Sequence, residues 1–372
     1  MFRPKFQYTN DMVNDLMKIE RYRSSLEYLY LPTRARQELN YNAKMKKTHF
    51  STSIEGNVLS YEQVERVITE KNKETKINAE REVLNYWDAL SYLETEQKKQ
   101  IEISVDFIKR LHGEITKKAG KPKKSNFREE MPPGVLFAVY DNNTKMPEYI
   151  PPEWSDIEEL MQDLLEWYKE ESELPLPVKV AIFHYQFVTI HPFIDGNGRT
   201  ARALATYILM QNDYDFKACN SMEEYYATDL DGYYNNLQQG LPPLYYEGRN
   251  DPPHLEIWIE FFVHIMALNA EKIFELAVEA TPKDKGNALI ASLNNRDKKM
   301  LRYVLENQIE LIKTKDLADV FMVTPRAITK WCKEWCERGL LIPNLKNVRV
   351  TSYSLSEKYR NLDLNELGFI KE

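Results

Sequence analysis

Apolar residues recur at helical spacing through most of the first 280 residues. Helix-forming residues fill positions 34–49 and give way to a hydroxyl-rich segment at 50–53, and a new apolar pattern starts near Ser60. Two further amphipathic stretches run through 83–93 and 105–115. Because apolar positions three and four residues apart line one face of a helix, each stretch predicts a helix with one buried side. The pattern therefore predicts a bundle of helices.

The most apolar stretch, residues 178–190, follows Pro177 and carries Lys179 as its only formal charge. Proline is well tolerated in the first turn of a helix, so it marks a start. A helix that is apolar on most sides is expected to be buried, which places this one at the centre of the bundle. Another helix is predicted over 200–210, after a glycine-rich segment.

The helical pattern fails between residues 118 and 152. A short apolar run at 135–140 is followed by turn-forming residues at 141–143 and by a second extended piece at 149–150, which stops at two prolines. This order predicts a β-hairpin within a helical domain. Since a lone hairpin is only marginally stable, we expect it to pack over the bundle or to act as a flap.

The C-terminal part has a different pattern, which begins after a polar linker predicted at 281–286. Three helical stretches and two strand-like pieces follow, at 297–307, 314–321, 324–338, 348–351 and 353–355. Three helices and a strand pair predict a winged helix-turn-helix. The predicted fold class is thus mainly α: a helical bundle with a short β-hairpin flap, and a small C-terminal winged helix-turn-helix domain.

The predicted domain organisation has three parts. They are an N-terminal helical region (1–110), a catalytic core with the flap (111–280), and the linker with the winged-helix-like domain (281–372). Charge is distributed unevenly among them: residues 283–360 hold 16 Lys and Arg against 9 Asp and Glu, whereas the whole chain has a net charge of −7. A local basic excess indicates an interaction surface in this region.

The three cysteines, Cys219, Cys332 and Cys336, do not form a disulfide framework, so we expect a reducing compartment and a cytoplasmic protein. Cys332 and Cys336 are four residues apart without a nearby histidine. We interpret them as small buried apolar residues rather than metal ligands. No run approaches the ~20 apolar residues that a membrane span requires, so no membrane partner is expected.

Candidate chemistry is concentrated in residues 191–202, which read HPFIDGNGRTAR and directly follow the buried helix. Gly196 and Gly198 flank Asn197 just before the next predicted helix. Backbone N–H groups at a helix N-terminus bind anions, and glycines let a phosphate approach the chain closely. A glycine-rich turn alone is also typical of a purely structural loop.

The neighbouring side chains favour a phosphate-transfer site. Arg199 and Arg202 lie three residues apart on one helix face and are suited to gripping phosphates. Asp195 supplies an oxygen ligand suited to Mg²⁺, and His191 is a titratable base immediately before the loop. The combination of base, carboxylate, anion loop and two arginines has the parts that a phosphate-transfer site needs.

The same segment resembles the signature H-x-F-x-[D/E]-G-N-G-R-x-x-R of the Fic family at every fixed position. Residues 184–187 resemble the helix that precedes the signature, 149–152 resemble the end of the family's flap hairpin, and 83–86 resemble one of its core helices. The resemblance covers roughly residues 30–265. It implies a protein adenylyltransferase that moves AMP from ATP to a Ser, Thr or Tyr hydroxyl of a target protein, including itself.

The resemblance also implies roles for individual residues. His191 would deprotonate the target hydroxyl, which attacks the α-phosphate of ATP. Asp195 would hold Mg²⁺ between the α- and β-phosphates. Gly196, Asn197 and Gly198 would form the anion cradle for ATP. Arg199 and Arg202 would hold its β- and γ-phosphates, and the pair Tyr233 and Tyr234 would lie near its adenine. Aromatic core packing explains the tyrosine pair equally well.

Residues 51–56, STSIEG, resemble the family's inhibitory motif [S/T]-x-x-x-E-[G/N]. By this resemblance, Glu55 would pair with Arg202 and occupy the space that the γ-phosphate needs. The same carboxylate could instead align a water molecule for the reverse reaction, removal of AMP. Both roles stay open. The flap near 135–137 would pair its edge with the target segment. The kinase-like branch of the family carries Lys where this chain has Gly198.

An alternative reading makes the protein a DNA-binding regulator with the helical domain as a sensor. Duplex DNA would then bind through residues 296–360. The residues Arg326, Thr329, Lys330 and Lys333 would face a groove from a helix that Thr324 and Pro325 begin. A module for protein contacts is a further option, and a homodimer remains open as well.

Overall fold

The computed structural model describes residues 2–29, 31–70, 75, 77–118, 122–140, 146–242, 251–281, 293–346, 349–360 and 362. Two compact units divide the chain. One comprises Met1–Tyr30 and Arg36–Val278, and the other comprises Leu31–Ala35 and Glu279–Glu372.

The first unit is built of helices and one small hairpin. Its elements, in chain order, are α1 (Asn10–Tyr28), α2 (Thr33–Ile54), α3 (Tyr61–Glu70), α4 (Asn78–Lys98), α5 (Val105–Ile115), β1 (Val139–Tyr140), β2 (Pro147–Tyr149), a 3₁₀ turn (Trp154–Asp156), α6 (Ile157–Glu170), α7 (Leu176–Ile190), α8 (Asn197–Gln211), α9 (Glu223–Thr228), α10 (Leu230–Gln238) and α11 (Leu255–Ala280).

The core of this unit surrounds α7, which packs against α6 and α8. Most of its residues are buried, as its apolar sequence predicts, and Pro177 lies in its first turn. The long helix α11 is tied to it by the Trp258 indole, whose Nε1–H donates to the carbonyl of Ala181 at 2.8 Å. On the other side, α4 packs against α5 and α8. The central helix therefore fixes the position of the loop that follows it.

Two predicted helix boundaries are wrong. Helix α2 does not stop at residues 50–53 but continues to Ile54. Hydroxyl groups in this segment donate to carbonyls within the helix, for example Thr52 Oγ1 to the carbonyl of Thr48 at 2.9 Å. They are therefore satisfied without interrupting the backbone hydrogen bonds of the helix. Helix α8 starts at Asn197 rather than at 200, because Gly196 adopts a left-handed conformation and caps it.

The hairpin is present but shorter than predicted. Val139 pairs with Tyr149 and Tyr140 with Pro147, with a register irregularity between the two pairs. The run at 135–138 lies outside the strand, and Val135 and Leu136 are exposed. The second strand ends before Ile150, because the prolines at 151 and 152 cannot donate to a ladder. The turn predicted at 141–143 lies outside the described residues.

The second unit contains α12 (Asn295–Glu306), α13 (Thr314–Phe321), α14 (Pro325–Glu337), β3 (Leu341–Lys346), β4 (Arg349–Leu355) and α15 (Glu357–Arg360). The three long helices lie close to their predicted positions. The strand prediction is wrong in pairing: the pieces at 348–351 and 353–355 belong to one strand, β4, whose antiparallel partner is β3. Position 348 and the linker residues 282–286 lie outside the described residues.

This unit has its own core, which contains Ile328, Cys332 and Trp335 from one face of α14. The buried Asp297 carboxylate accepts from Trp335 Nε1 at 2.8 Å and pairs with Arg338 at 2.7 Å. Three helices followed by an antiparallel strand pair agree with the predicted element order, and the winged helix-turn-helix assignment itself stays a prediction. All three cysteines are free thiols.

The fold is mainly α with two small hairpins, as predicted. The proposed boundary at residue 110 does not coincide with a boundary between compact units, because α4 on one side of it packs against α5 and α8. Among the described helices, none combines the length and the apolar character that crossing a membrane requires.

Candidate active site

The loop between α7 and α8 is shaped by two left-handed residues. His191 ends α7 with φ 50°, and Gly196 precedes α8 with φ 78°. A Cβ on Gly196 would lie 3.0 Å from Thr116 Cγ2. Both the backbone angle and the close neighbour therefore favour glycine at this position.

The first turn of α8 presents backbone N–H groups at the position where the sequence predicts an anion site. Thr200 is the first residue whose N–H bonds back within this turn, to the carbonyl of Gly196 at 3.0 Å. The N–H groups of Asn197, Gly198 and Arg199 thus have no acceptor within the helix. Such groups, together with the helix dipole, attract a phosphate.

The side chain of Asn197 serves the loop itself. Its Oδ1 accepts from the Phe193 N–H at 2.9 Å, and its Nδ2 donates to the Phe193 carbonyl at 2.8 Å. Asn197 is almost fully buried, so only its backbone can contribute to the cradle.

His112 supports the loop from behind, a role that the sequence analysis missed. Its ring lies 3.7 Å from the Phe193 ring at an interplanar angle of 10°. Nε2 is 2.8 Å from the Asp195 carbonyl and Nδ1 is 2.7 Å from Ser125 Oγ. Since a carbonyl only accepts, Nε2 carries the proton and Nδ1 accepts from the serine hydroxyl. The signal in the sequence was a histidine on the apolar face of the helix at 105–115.

Arg128 fixes the backbone of the predicted base, His191. Its Nε donates to the His191 carbonyl at 3.0 Å and its Nη2 donates to the carbonyl of Pro152. The guanidinium also lies 4.6 Å from the ring centroid of Phe137, which in turn is 6.0 Å from the His191 ring. Arg128 was missed because nothing distinguishes it from the other basic residues of its segment.

The protonation of His191 follows from its surroundings. Burial lowers the pKa of His191 to about 4, and the positive charge of Arg128 acts in the same direction. Nδ1 lies 3.3 Å from the Val188 carbonyl, so this nitrogen is the donor in the neutral ring. The Nε2 lone pair is therefore the one available to take a proton at neutral pH.

Arg199 and Asp195 meet at the open side of the loop. Arg199 Nη2 is 3.5 Å from Asp195 Oδ2, and the Arg199 side chain is buried whereas the carboxylate is 80% exposed. Asp195 Oδ1 also accepts from the Gly196 N–H at 2.7 Å. The carboxylate thus faces solvent beside the free N–H groups of α8.

Arg202 is held by α2. Its Nε donates to Ser51 Oγ and its Nη2 donates to the Ser51 carbonyl, both at 2.9 Å. The same Nη2 lies 2.8 Å from Glu55 Oε1 in an ion pair. Burial acts to lower the pKa of Arg202, but Glu55, together with Tyr233 and Tyr86, outweighs burial and the pKa is raised. The structure thus brings Glu55 and Arg202 together across 147 residues of sequence.

The Glu55 carboxylate also lies over the anion loop. A Cβ on Gly198 would be only 2.4 Å from Glu55 Oε1 and 3.1 Å from Arg202 Nη1. The space beside Gly198 is therefore filled by this carboxylate, and any larger residue at 198 would displace it.

The two tyrosines of the predicted adenine site differ in exposure. Tyr233 is buried, its hydroxyl is 3.1 Å from His184 Nε2, and its ring contacts Trp258 and Tyr226. Tyr234 is 46% exposed. Core packing accounts for Tyr233, and only Tyr234 has a ring surface open to a ligand.

The donor set around Asp195 fits Mg²⁺ in one respect. Magnesium in nucleotide sites takes one or two carboxylates, with phosphate oxygens and water completing the octahedron. Asp195 offers an exposed carboxylate beside the open N-terminus of α8, and no group of three His, Cys, Asp or Glu side chains gathers in the described part of the chain. Asp195 therefore fits as a single protein ligand of a Mg²⁺ ion whose other ligands come mainly from a bound nucleotide.

Fold and site together define a helical protein that places an open helix N-terminus, a neutral histidine and two buried arginines in one loop region. Residues 102–209 match the Fic/DOC family profile. This segment is therefore similar to a Fic domain, and the loop 191–202 lies within the matched region.

Curated relatives support this assignment. Protein adenylyltransferase Fic of Drosophila willistoni is 28% identical over 217 residues, covering 56% of this chain and 41% of that protein. Protein adenylyltransferase fic-1 of Caenorhabditis elegans is 31% identical over 198 residues, covering 50% of this chain and 36% of that protein. The chain thus spans less than half the length of these two relatives.

Solved structures agree on the fold. A Fic family protein from Desulfovibrio desulfuricans G20 has a TM-score of 0.59 at 20% identity, covering 96% of this chain and 99% of that one. A fragment of C. elegans Fic-1 has a TM-score of 0.55 at 23% identity, covering 72% of each chain. At these identities the likeness establishes the Fic fold.

Proposed function

We propose that this protein transfers AMP from ATP to a Ser, Thr or Tyr hydroxyl of a target protein, including itself. The carrying observation is the arrangement in one loop of a neutral His191, the open N-terminus of α8 and the buried Arg199 and Arg202. Relatives named protein adenylyltransferase give this arrangement its reaction type.

The reaction is a displacement at the α-phosphorus. His191 Nε2 takes the proton of the target hydroxyl, the hydroxyl oxygen bonds to the α-phosphorus, and the bond to the β-phosphate oxygen breaks. Pyrophosphate leaves. The N–H groups at 197–199 would hold phosphate oxygens, and Arg199 and Arg202 would hold the β- and γ-phosphates, so that positioning and charge neutralisation lower the barrier.

Two further parts of the site have proposed roles. Asp195 would hold Mg²⁺, which neutralises phosphate charge when bound. The segment at 135–137, which precedes β1, would pair with an extended segment of the target, and the exposure of Val135 and Leu136 leaves this segment accessible. Tyr234, rather than Tyr233, is the ring available to the adenine.

Glu55 is proposed to restrain the reaction. Its ion pair with Arg202 occupies one phosphate position, and its carboxylate fills the space beside Gly198. ATP must displace this carboxylate, or bind in a pose that spoils in-line attack. Because the Glu55 side chain is 27% exposed, the same group could also orient a water molecule for removal of AMP.

The test is labelling with α-labelled ATP, Mg²⁺ and cell lysate. His191→Ala is expected to lower label incorporation by about 10²–10⁴-fold, the usual cost of losing a general base, while the fold measured by circular dichroism is retained. Undiminished labelling by this variant would remove His191 from its role.

A second function, binding of duplex DNA by the C-terminal unit, is favoured by one observation. Arg326, Thr329, Lys330 and Lys333 are all exposed on α14, opposite the buried face of that helix. Cations on an exposed helix face suit phosphate and groove contacts. A cytoplasmic location of the protein and its assembly into a homodimer are further proposals.

Salt-dependent retention on duplex DNA tests this second function. Arg326→Ala combined with Lys330→Ala is expected to weaken retention and to reduce its salt slope by roughly one unit per lost phosphate contact. If the protein is not retained on duplex DNA, or if its retention does not depend on salt, a role of the C-terminal unit in protein contacts is favoured.

A further inference from the structure

A cavity of about 800 Å³ lies in the first unit, away from the catalytic loop, between α1, α2, α4, α8 and the turn that follows α8. Leu26, Leu90 and Phe216 give it buried apolar walls. Four carboxylates and six cations line the cavity. The cations are Arg23, Arg36, Lys44, Lys47, Lys98 and Lys217. The lining is therefore basic in a chain that is acidic as a whole.

Lys47 differs from the paired cations of the cavity, such as Lys44 and Lys217. It is only 7% exposed, and it forms no hydrogen bond or ion pair with any residue that the structure describes. By contrast, Lys44 bonds to Glu94 and Lys217 donates to the Leu29 carbonyl. Because most of the Lys47 side chain is buried and its ammonium has no protein partner, the cavity is suited to an anion that supplies one.

The charge of Lys47 acts on two buried carboxylates without forming an ion pair with either. Burial raises the pKa of both Asp215 and Glu223, and the charge of Lys47 opposes that rise in each. Neither carboxylate lies within ion-pair distance of its ammonium among the described contacts. The charge of Lys47 is thus felt in its surroundings but remains open to a ligand.

The turn that closes the cavity is strained. Phe216, Lys217 and Ala218 have φ values of 49°, 62° and 68°, three consecutive left-handed residues without a glycine. L-residues adopt this region singly, and strain of this kind concentrates at ligand sites. The turn is held by the N–H groups of Cys219 and Asn220, which both donate to the Asp215 carbonyl.

The cavity is also adjacent to the restraint on Arg202. On α2, Lys47 precedes Ser51 by one helical turn, and on α8 the cavity-lining Thr206 follows Arg202 by one turn. Residues four apart lie on the same helix face. A ligand in the cavity would therefore contact both helices one turn away from the bonds between Arg202 and Ser51.

We propose that this cavity binds a small organic phosphate, with the phosphate on Lys47 and the organic part against Leu26 and Leu90, while Arg36 adds positive charge elsewhere in the lining. Lysine binds phosphate as a compact point charge. By bridging α2 and α8, the ligand holds α2 in place and strengthens the contact between Glu55 and Arg202. This regulatory consequence rests on the proposed function, whereas the binding itself does not.

Calorimetric titration of the full chain with phenyl phosphate tests the binding. Lys47→Met is expected to weaken it at least about tenfold, or about 1.4 kcal/mol. Two matched controls are expected to bind as the wild type does: Lys46→Met, which removes the neighbouring charge that pairs with Glu224, and Arg199→Met on the catalytic loop. Equal binding by Lys47→Met, or loss only in Arg199→Met, overturns the proposal.

Further arms fix the ligand class and guard against a folding defect. Inorganic phosphate and benzoate are each expected to bind at least about tenfold more weakly than phenyl phosphate, and equal affinity for either refutes an organic phosphate. Arg36→Met changes an exposed rim residue. It should weaken binding about threefold even if Lys47→Met does not fold, and unchanged binding counts against the site.

The regulatory consequence has its own readout. Saturating phenyl phosphate is expected to lower AMP labelling by the wild type at least about threefold and to leave Glu55→Gly unaffected. Equal inhibition of both proteins would refute regulation through α2. If no AMP transfer occurs at all, the calorimetric result still decides whether the cavity binds a phosphate.

Discussion

The removal of the Glu55 carboxylate is the perturbation with the most definite expected effect. Glu55→Gly deletes the ion pair with Arg202 and empties the space beside Gly198. Glu55 lies just past the end of α2, next to Gly56, so glycine there costs little helix stability. Arg202 stays anchored by its two bonds to Ser51 and becomes free to contact a phosphate.

The magnitude follows from the geometry of that pair. A hydrogen bond between charged groups contributes about 1.5–3 kcal/mol. The Arg202 side chain is 1% exposed and the Glu55 side chain 27%, with an atom separation of 2.8 Å, so the lower end of this range applies. We therefore expect Glu55→Gly to raise self-labelling and target labelling at least about tenfold, equivalent to roughly 1.4 kcal/mol of barrier.

The assay is incorporation of α-labelled ATP by wild type, Glu55→Gly and Glu55→Gln. The glutamine variant keeps the shape of the side chain but removes its charge, so an intermediate rate is expected. Arg202→Ala in the Glu55→Gly background should reverse much of the gain, because the freed arginine positions the γ-phosphate.

The restraint hypothesis is falsified if Glu55→Gly and the wild type label equally while His191→Ala is inactive. Glu55 would then be an ordinary carboxylate near the site, and regulation would have to come from another part of the molecule. A gain that persists undiminished after Arg202→Ala would instead separate the restraint from the arginine.

Two further predictions concern stability. Gly198→Ala should destabilise the wild type, because the new Cβ would lie 2.4 Å from Glu55 Oε1. In the Glu55→Gly background the same substitution should be neutral or should stabilise the fold by up to about 1 kcal/mol. Denaturant unfolding of the wild type, the two single variants and the double variant measures this, and additive effects would contradict the contact. Burial lowers the pKa of His112, His184 and His191 to about 4, 3 and 4. The unfolded chain binds these protons near pH 6.5, so the free energy of unfolding should fall as pH drops below about 6.5, by up to about 1.4 kcal/mol per pH unit for each group. An unchanged Tm between pH 7 and pH 5 would contradict this burial.

Much of the fold was predictable because local physics governs it. The apolar run at 178–190 has too few polar residues for any place but the core, and α7 lies there. The reactive loop was equally local: the glycine at 196, the base at 191 and the arginine at 199 lie within a few residues of one another. Short-range sequence therefore predicted the central helix, and it also identified the segment that holds the candidate site residues.

Boundaries and pairings were less predictable. The hydroxyl cluster at 50–53 reads as a helix end, yet α2 continues through it, because Ser51 bonds to Arg202 and the other hydroxyls bond back to the helix. The partner of β4 was missed, since strand pairing depends on a hairpin whose register local propensity does not specify.

By itself the sequence determined the fold class, the central buried helix and the reactive loop, because each depends on residues close together in the chain. Only the tertiary structure decided which partners that loop has. His112 meets Asp195 across 83 residues, Arg128 meets His191 across 63, and Glu55 meets Arg202 across 147. Contacts between residues so far apart in the chain leave no periodic pattern in the sequence. They arise because the packing of whole helices brings distant side chains together in a buried site.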